Sequence, residues 1–155
     1  PGTRVWDGVE ARAAAHGVAT VAVRRGQRIP LGDAALHVLH PTHRASGVSN
    51  DDSVALRVDW RGRPWVHLLG DLPAHTHADL PLPPAPLLLA PHHGAADGAS
   101  ERLFRAVGPE EVLVSVGRNN RYGHPADATL ARIAAVGADV ARTDQDGTIR
   151  RTPPW

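Results

Sequence analysis

The chain has 155 residues, with 17 basic residues against 16 acidic ones and a net charge of +1 at pH 7. This length suits one domain with a real core, and the near balance of charge gives no indication of a large basic patch for nucleic acid. The absence of Cys excludes disulfides and thiolate metal sites, which leaves His and carboxylate as the strong ligands for zinc or manganese. No apolar run reaches the roughly 20 residues of a membrane span.

The first half of the chain favours one helix followed by short strands. Apolar residues at helical spacing predict an Ala-rich helix over residues 6–16 that packs on a sheet, with Gly17 ending it. Alternating patterns predict strands at 29–31, 35–40, 54–60 and 64–69, the last two forming a hairpin.

The second half favours strand–helix units. Apolar runs predict strands at 87–90, 112–116 and 138–142, and the intervening patterns predict helices at 100–107 and 127–136. The proline-rich residues 80–86 are expected to form a surface connection because proline lacks a backbone donor. Strand pairs followed by strand–helix units predict an α/β, or layered α+β, domain with a mixed sheet and outer helices.

Three polar stretches follow apolar runs directly: Gly70-Asp71, His92-His93-Gly94 and Tyr122-Gly123-His124-Pro125. In open α/β sheets ligands bind outside the carboxyl ends of the strands, so we expect these stretches to converge. His nitrogen and carboxylate oxygen are ligands for divalent metal ions, and the pattern therefore favours a metal-dependent hydrolase site.

Each of these residues also has an ordinary structural interpretation. Asp71 could satisfy the backbone donors of a turn, His92 and His93 could be a surface pair, and His124 could be a loop residue beside a helix start. A two-metal site needs two ions about 3.5–4 Å apart with several ligands each. These four residues would supply only part of that set.

Further polar residues lie in the loops next to these stretches. Asn50 and Ser53 could belong to a loop that simply leads into a strand, and Tyr122 either packs its loop or donates to a phosphate. Arg118 and Arg121 flank an Asn pair that includes Asn120; they would suit phosphate oxygens, although solvated loop arginines are common. The sequence leaves these alternatives open.

Taken in order, the motifs resemble the C-terminal half of the metallo-β-lactamase domain of ComEC-type DNA internalisation competence proteins. The resemblance runs from about residue 26 to 149. Its motifs are Asn-Asp-x-Ser at 50–53, Leu-Leu-Gly-Asp at 68–71, Pro-His-His-Gly at 91–94, Ser-Val-Gly-x-Asn-Asn-x-Tyr-Gly-His-Pro at 115–125 and Arg-Thr-Asp-x-Asp-Gly-Thr-Ile at 142–149.

The resemblance implies an αββα fold and two divalent ions, Mn or Zn. It makes Asp71 and His124 metal ligands, and His92 and His93 ligands, proton donors or substrate contacts. Asn50 and Ser53 would line the cleft, with Asn120, Tyr122, Arg118 and Arg121 near the substrate. The His-x-Asp-x-Asp-His signature of the family is missing, and with Pro1 first and no Met we expect residues 1–155 to be a partial domain cut from a longer polypeptide.

For the whole protein, the resemblance implies a nuclease that degrades the DNA strand that is not imported. Its partners would be single-stranded DNA and a membrane channel domain of the same polypeptide. The domain would be a soluble part of a bacterial inner-membrane protein, on the extracytoplasmic side. Two alternatives remain: a hydrolase of a small ester or lactone, and a non-catalytic DNA-docking fragment. The sequence does not indicate the oligomeric state.

Overall fold

The computed structural model describes residues 4–42 and 49–153, without the side chains of residues 4–6. Four α-helices and seven strands lie in these ranges. The helices are α1 (Arg4–Ala15), α2 (Glu101–Val107), α3 (Asp127–Ala135) and α4 (Thr143–Asp146). The strands are β1 (Arg28–Leu31), β2 (Ala34–His40), β3 (Ala55–Trp60), β4 (Arg63–Leu68), β5 (Leu87–Leu89), β6 (Glu111–Val114) and β7 (Asp139–Arg142).

The seven strands form one mixed sheet in the order of the chain, from β1 to β7. Strands β1 to β4 pair antiparallel, whereas β4 to β7 pair parallel. One end of the strands, called here the site edge, therefore carries the carboxyl ends of β2, β4, β5, β6 and β7 together with the start of β3. The predicted layered α+β class with a mixed sheet is confirmed.

One face of the sheet carries the main core together with α2 and α3. Leu88 and Val112 are fully buried on this face, packed in one cluster with Phe104 of α2 and Ile133 of α3. Successive strand residues point to opposite faces, so Leu89 and Leu113 point to the other face, where they are only half-buried. The helices thus cover one side of the parallel strands.

Two predictions about local packing are wrong. Over residues 7–15, helix α1 is exposed except for a half-buried Ala13, so the described part of this helix does not pack closely on the sheet. Residues 80–86 are more than a surface connection, because Leu80 and Ala85 are buried in the core. The carbonyl of Pro83 also accepts a hydrogen bond from Nε2 of buried His67, at 2.8 Å. A proline lacks a backbone N–H donor, but its carbonyl can still accept a hydrogen bond.

None of the described α-helices combines the length and the apolar character that crossing a bilayer requires.

Candidate functional site

Asp71 lies at the site edge directly after Gly70, a glycine that allows the loop before β3 to pack closely. Gly70 has a left-handed φ of 59°, and a Cβ on it would lie 3.1 Å from Cβ of Ser53 and 3.3 Å from the carbonyl oxygen of Val54. Glycine is the residue that accepts both this conformation and this approach. The loop that precedes β3 and the end of β4 are therefore in direct contact at the site edge.

His92 and His93 leave β5 in consecutive left-handed conformations, with φ of 49° and 54°. A left-handed residue other than glycine costs roughly 1–2 kcal/mol, and such strain concentrates at functional sites. The His92 amide donates to the carbonyl of Gly70 at 2.9 Å, and the Ala95 amide donates to the carbonyl of His92 at 2.8 Å. The first bond holds the strained turn against the end of β4, and the second closes the turn itself.

The His93 ring bridges the ends of β4 and β6. Its Nδ1 donates to the carbonyl of Ser115 at 2.8 Å, and its Nε2 lies 3.7 Å from Oδ1 of Asp71. A carbonyl can only accept, so Nδ1 carries the proton and Nε2 of a neutral ring presents a lone pair to the carboxylate. Two acceptors that face each other suit a shared proton or cation.

The His92 ring occupies the space between β5 and the loop after β6. Its Nδ1 lies 3.6 Å from Oδ1 of Asp97, too far for a hydrogen bond, and has no hydrogen-bond partner among the described residues. Its centroid lies 5.8 Å from that of His124 at an interplanar angle of 59°. A Cβ on Gly98 would lie 2.7 Å from Cβ of His92, so this glycine makes room for the ring.

The loop that carries His124 is fixed by Asn120. The Asn120 side chain donates to the carbonyl of His124 at 2.8 Å and accepts from its amide at 2.9 Å. Tyr122 is exposed, and its ring stacks on His124 with centroids 5.9 Å apart and planes 16° apart. Asn120 therefore acts on the backbone of its own loop, whereas Tyr122 presents its ring to solvent.

The two histidine loops touch each other directly. A Cβ on Gly94 would lie 2.8 Å from Cβ of Pro125, and the Ala126 amide donates to the carbonyl of Gly94 at 3.0 Å. The φ of Gly94 is 81°, in the region that favours glycine. The loop after β5 and the loop after β6 are thus packed backbone against backbone.

A cleft of about 460 Å³ opens between these loops and the start of α4. Its walls include His93, His124 and Thr143. The Thr143 hydroxyl accepts from the amide of Val116 at 2.7 Å and donates to the Val116 carbonyl at 2.8 Å. Sequence reasoning missed Thr143, although its place directly after a predicted strand was a usable signal.

The remaining predicted site residues also lie on loops at the site edge. Ser53 packs on Gly70, while Asn50 is exposed in a short 3-10 helix ahead of β3. Arg118 and Arg121 are exposed on the loop after β6, without an ion pair to another described residue. The structure pairs Asp71 with His93 and His92 with His124. It leaves Asn50, Ser53, Arg118 and Arg121 at the periphery.

These residues match a metal site in donor type but not in number. His nitrogen and carboxylate oxygen are suitable zinc and manganese ligands, and the His93–Asp71 pair presents one of each. Within residues 4–42 and 49–153, no three His, Asp or Glu side chains gather closely enough to hold an ion. The described residues alone therefore do not fit a complete metal centre.

Two other histidines are buried away from the cleft. Nε2 of His67 donates to Pro83, and Nε2 of His77 donates to the carbonyl of Leu72 at 3.1 Å. Burial, which disfavours the charged imidazolium, lowers the pKa of both His67 and His77. Burial therefore favours the neutral form of both rings, which pack in the interior.

Fold and cleft together define an α+β domain whose parallel strands end at a cleft lined by His93 and His124, with Asp71 beside His93. A scan against protein-family profiles gives no match. The chain is 32% identical over 139 residues to "ComE operon protein 3" of Bacillus subtilis (strain 168), which covers 87% of this chain and 18% of that protein. It is 36% identical over 64 residues to "Competence protein ComA" of Neisseria gonorrhoeae, covering 41% of this chain and 9% of that protein.

The chain is thus similar to part of two competence proteins, which confirms the resemblance to ComEC-type competence proteins. It spans about a fifth or less of the length of these two relatives.

Proposed function

We propose that the cleft at the site edge takes part in hydrolysis of a DNA strand during DNA uptake, and that the strand is the one that is not imported. The observation that carries the proposal is the pairing of Asp71 with His93 and of His92 with His124 after the ends of adjacent strands. The homology to competence proteins supports the process, and the ligand types support the chemistry.

Phosphodiester hydrolysis requires stabilisation of negative charge and a correctly placed water molecule. His93, with its tautomer set by Ser115, can hold or transfer a proton at Nε2. Arg118 and Arg121 would contact phosphate oxygens, and Tyr122 offers an exposed ring for stacking on a base. Asn50, Ser53 and Asn120 would shape the walls of the cleft.

The proposal includes divalent metal, two ions of Mn or Zn, with Asp71, His124 and His92 among the ligands. Such ions lower the pKa of bound water and neutralise phosphate charge. The ligands that the described residues lack would come from a segment bearing the family's His-x-Asp-x-Asp-His signature. The protein would act beside a membrane channel domain of the same polypeptide, on the extracytoplasmic side.

The test compares Asp71→Ala with Asp139→Ala, a matched removal of a carboxylate at the opposite edge of the sheet. The chain is expressed together with the signature-bearing segment, and release of nucleotides from labelled single-stranded DNA is measured with Mn²⁺ or Zn²⁺. We expect Asp71→Ala to lose at least about 100-fold in rate, as losses of charge-stabilising groups do, and Asp139→Ala to be unchanged. Equal rates for the two variants would remove Asp71 from the site.

The same assay separates the alternative functions. Turnover of a small ester or lactone without cleavage of DNA would favour a small-molecule hydrolase. DNA binding without turnover and without metal binding would favour a docking module.

A further inference from the structure

A second basic feature lies on the site edge, at the end opposite Arg118 and Arg121. The segment just before β1 continues the pairing with β2, because the Val38 amide donates to the carbonyl of Gln27 at 2.9 Å and the Arg25 amide to that of Pro41 at 2.7 Å. Pro41 follows directly from the end of β2. Arg25 therefore lies at the same edge of the sheet as the cleft.

Arg25 borders a small pocket of about 170 Å³. Its polar lining comes from Arg25, Gln27, His37 and Arg57. This lining contains two guanidinium groups and no carboxylate, which suits an anion of the size of a phosphate group.

Arg57 and His37 are held in this lining by Asp59, which is buried behind it. The Asp59 carboxylate accepts from Nε and Nη2 of Arg57 at 2.6 and 3.0 Å, and lies 2.9 Å from Nε2 of His37. One carboxylate thus orients two cationic or polar groups and offsets a single positive charge. Arg25 forms no ion pair with another described residue, so the pocket keeps a net positive charge.

We propose that this pocket binds a backbone phosphate of the nucleic-acid strand that runs through the cleft. The inference rests on the proposed function and adds a second contact point to it. Strands lie about 4.8 Å apart, so the three to four spacings from β1 to β4 and β5 amount to about 14–19 Å. At the spacing of about 3.4 Å per nucleotide in a stacked B-form strand, the bound phosphate lies about four to six nucleotides from Asp71, and an extended strand needs fewer.

The strand would then cross the site edge from the Arg25 pocket, over the Asp71–His93 pair, to the loop of Arg118 and Arg121. Positive charge at both ends and histidines in the middle match a polyanion bound along its length. A single nucleotide or a small ester could not reach from one end to the other. Binding should therefore depend on the length of the strand.

The test uses fluorescence anisotropy with single-stranded DNA of about 12 and about 4 nucleotides. Arg25→Ala is compared with wild type and with the control Arg150→Ala, which also removes an exposed arginine. Arg150 is next to Arg151, which pairs with Glu111 at the opposite edge of the sheet. We expect Arg25→Ala to reduce the ratio of the affinities for the long and the short strand about fivefold at 0.1 M salt. The slope of log affinity against log salt concentration should fall in magnitude by about 0.7, the contribution of one single-strand phosphate. Arg150→Ala should leave both unchanged.

An unchanged length advantage in Arg25→Ala, while Asp71→Ala still abolishes cleavage, overturns the pocket and leaves the proposed function standing. No binding of either oligonucleotide by wild type overturns both. Arg25-dependent binding of inorganic phosphate without any length effect would mean a free-phosphate site, which overturns the assignment to a nucleic-acid strand.

Discussion

Nε2 of His93 faces Oδ1 of Asp71 at 3.7 Å, across the ends of two neighbouring parallel strands. The carbonyl of Ser115 on the other side of the ring fixes which nitrogen carries the proton. The ring is therefore oriented by backbone, and its free nitrogen is directed at the carboxylate. This pairing is the most specific chemical relationship at the site edge.

The first prediction concerns the tautomer of His93. At pH 8 we expect the neutral ring to be protonated at Nδ1, because the Ser115 carbonyl at 2.8 Å can only accept. Long-range ¹⁵N–¹H correlation spectra distinguish the two tautomers, with exposed His16 as the reference ring. A proton on Nε2 of His93 at this pH would contradict the orientation of the site.

The second prediction concerns Asn120. Asn120→Ala removes both side-chain hydrogen bonds to the backbone of His124 and should lower the free energy of unfolding by about 1–3 kcal/mol. Urea denaturation measures the change, and the amide resonance of His124 should shift. Asn119→Ala, at an exposed position in the same loop, is the control and should alter neither.

The third prediction concerns the space that Gly98 leaves for His92. In Gly98→Ala the new Cβ would lie 2.7 Å from Cβ of His92 and 2.8 Å from the carbonyl oxygen of Pro91. We expect a loss of about 1–3 kcal/mol and a displaced His92 ring. Gly8→Ala in helix α1, where a Cβ meets nothing within 4 Å, should instead gain about 0.5–1 kcal/mol. Similar values for the two variants would mean that Gly98 is not needed for packing.

The fourth prediction concerns acid stability. The pKa of His67 in the folded chain lies below the ordinary value of 6.5 because of burial. The unfolded chain therefore binds a proton first as the pH falls, and stability present above about pH 6.5 is lost down to the folded pKa, at up to about 1.4 kcal/mol per pH unit.

His67→Gln should reduce the slope of unfolding free energy against pH between pH 7 and 5, whereas exposed His16→Gln should leave it as in wild type. The measurement is a series of urea titrations at fixed ionic strength. His77, whose pKa is lowered for the same reason, should still contribute part of the pH dependence of the unfolding free energy in the His67→Gln variant. An unchanged slope in His67→Gln would mean that the ring binds a proton equally in the folded and the unfolded chain.

Much of the fold follows from apolar periodicity. All seven described strands lie within one or two residues of the predicted positions, and the convergence of Asp71 with His93 follows from the rule that parallel strands end at one edge. The helix over residues 100–107 was equally predictable, because the Ser100 side chain caps it by accepting from the amide of Leu103 at 3.2 Å.

The parts that escaped prediction depend on distant contacts. The left-handed pair His92-His93 exists because the carbonyl of Gly70 and the space at Gly98 support it, and neither is visible in local sequence. The role of Thr143 comes from its bonds to Val116 on another strand. Local patterns report periodicity, whereas these features are set by tertiary packing.

The contact between Gly94 and Pro125 has a consequence for how this site can vary among related sequences. Any side chain at position 94 would have to displace the loop that carries His124, so the two loops should change together or not at all. A graft of one histidine loop into another protein would accordingly fail unless its neighbour moved with it. The loop after β5 and the loop after β6 therefore form one structural unit.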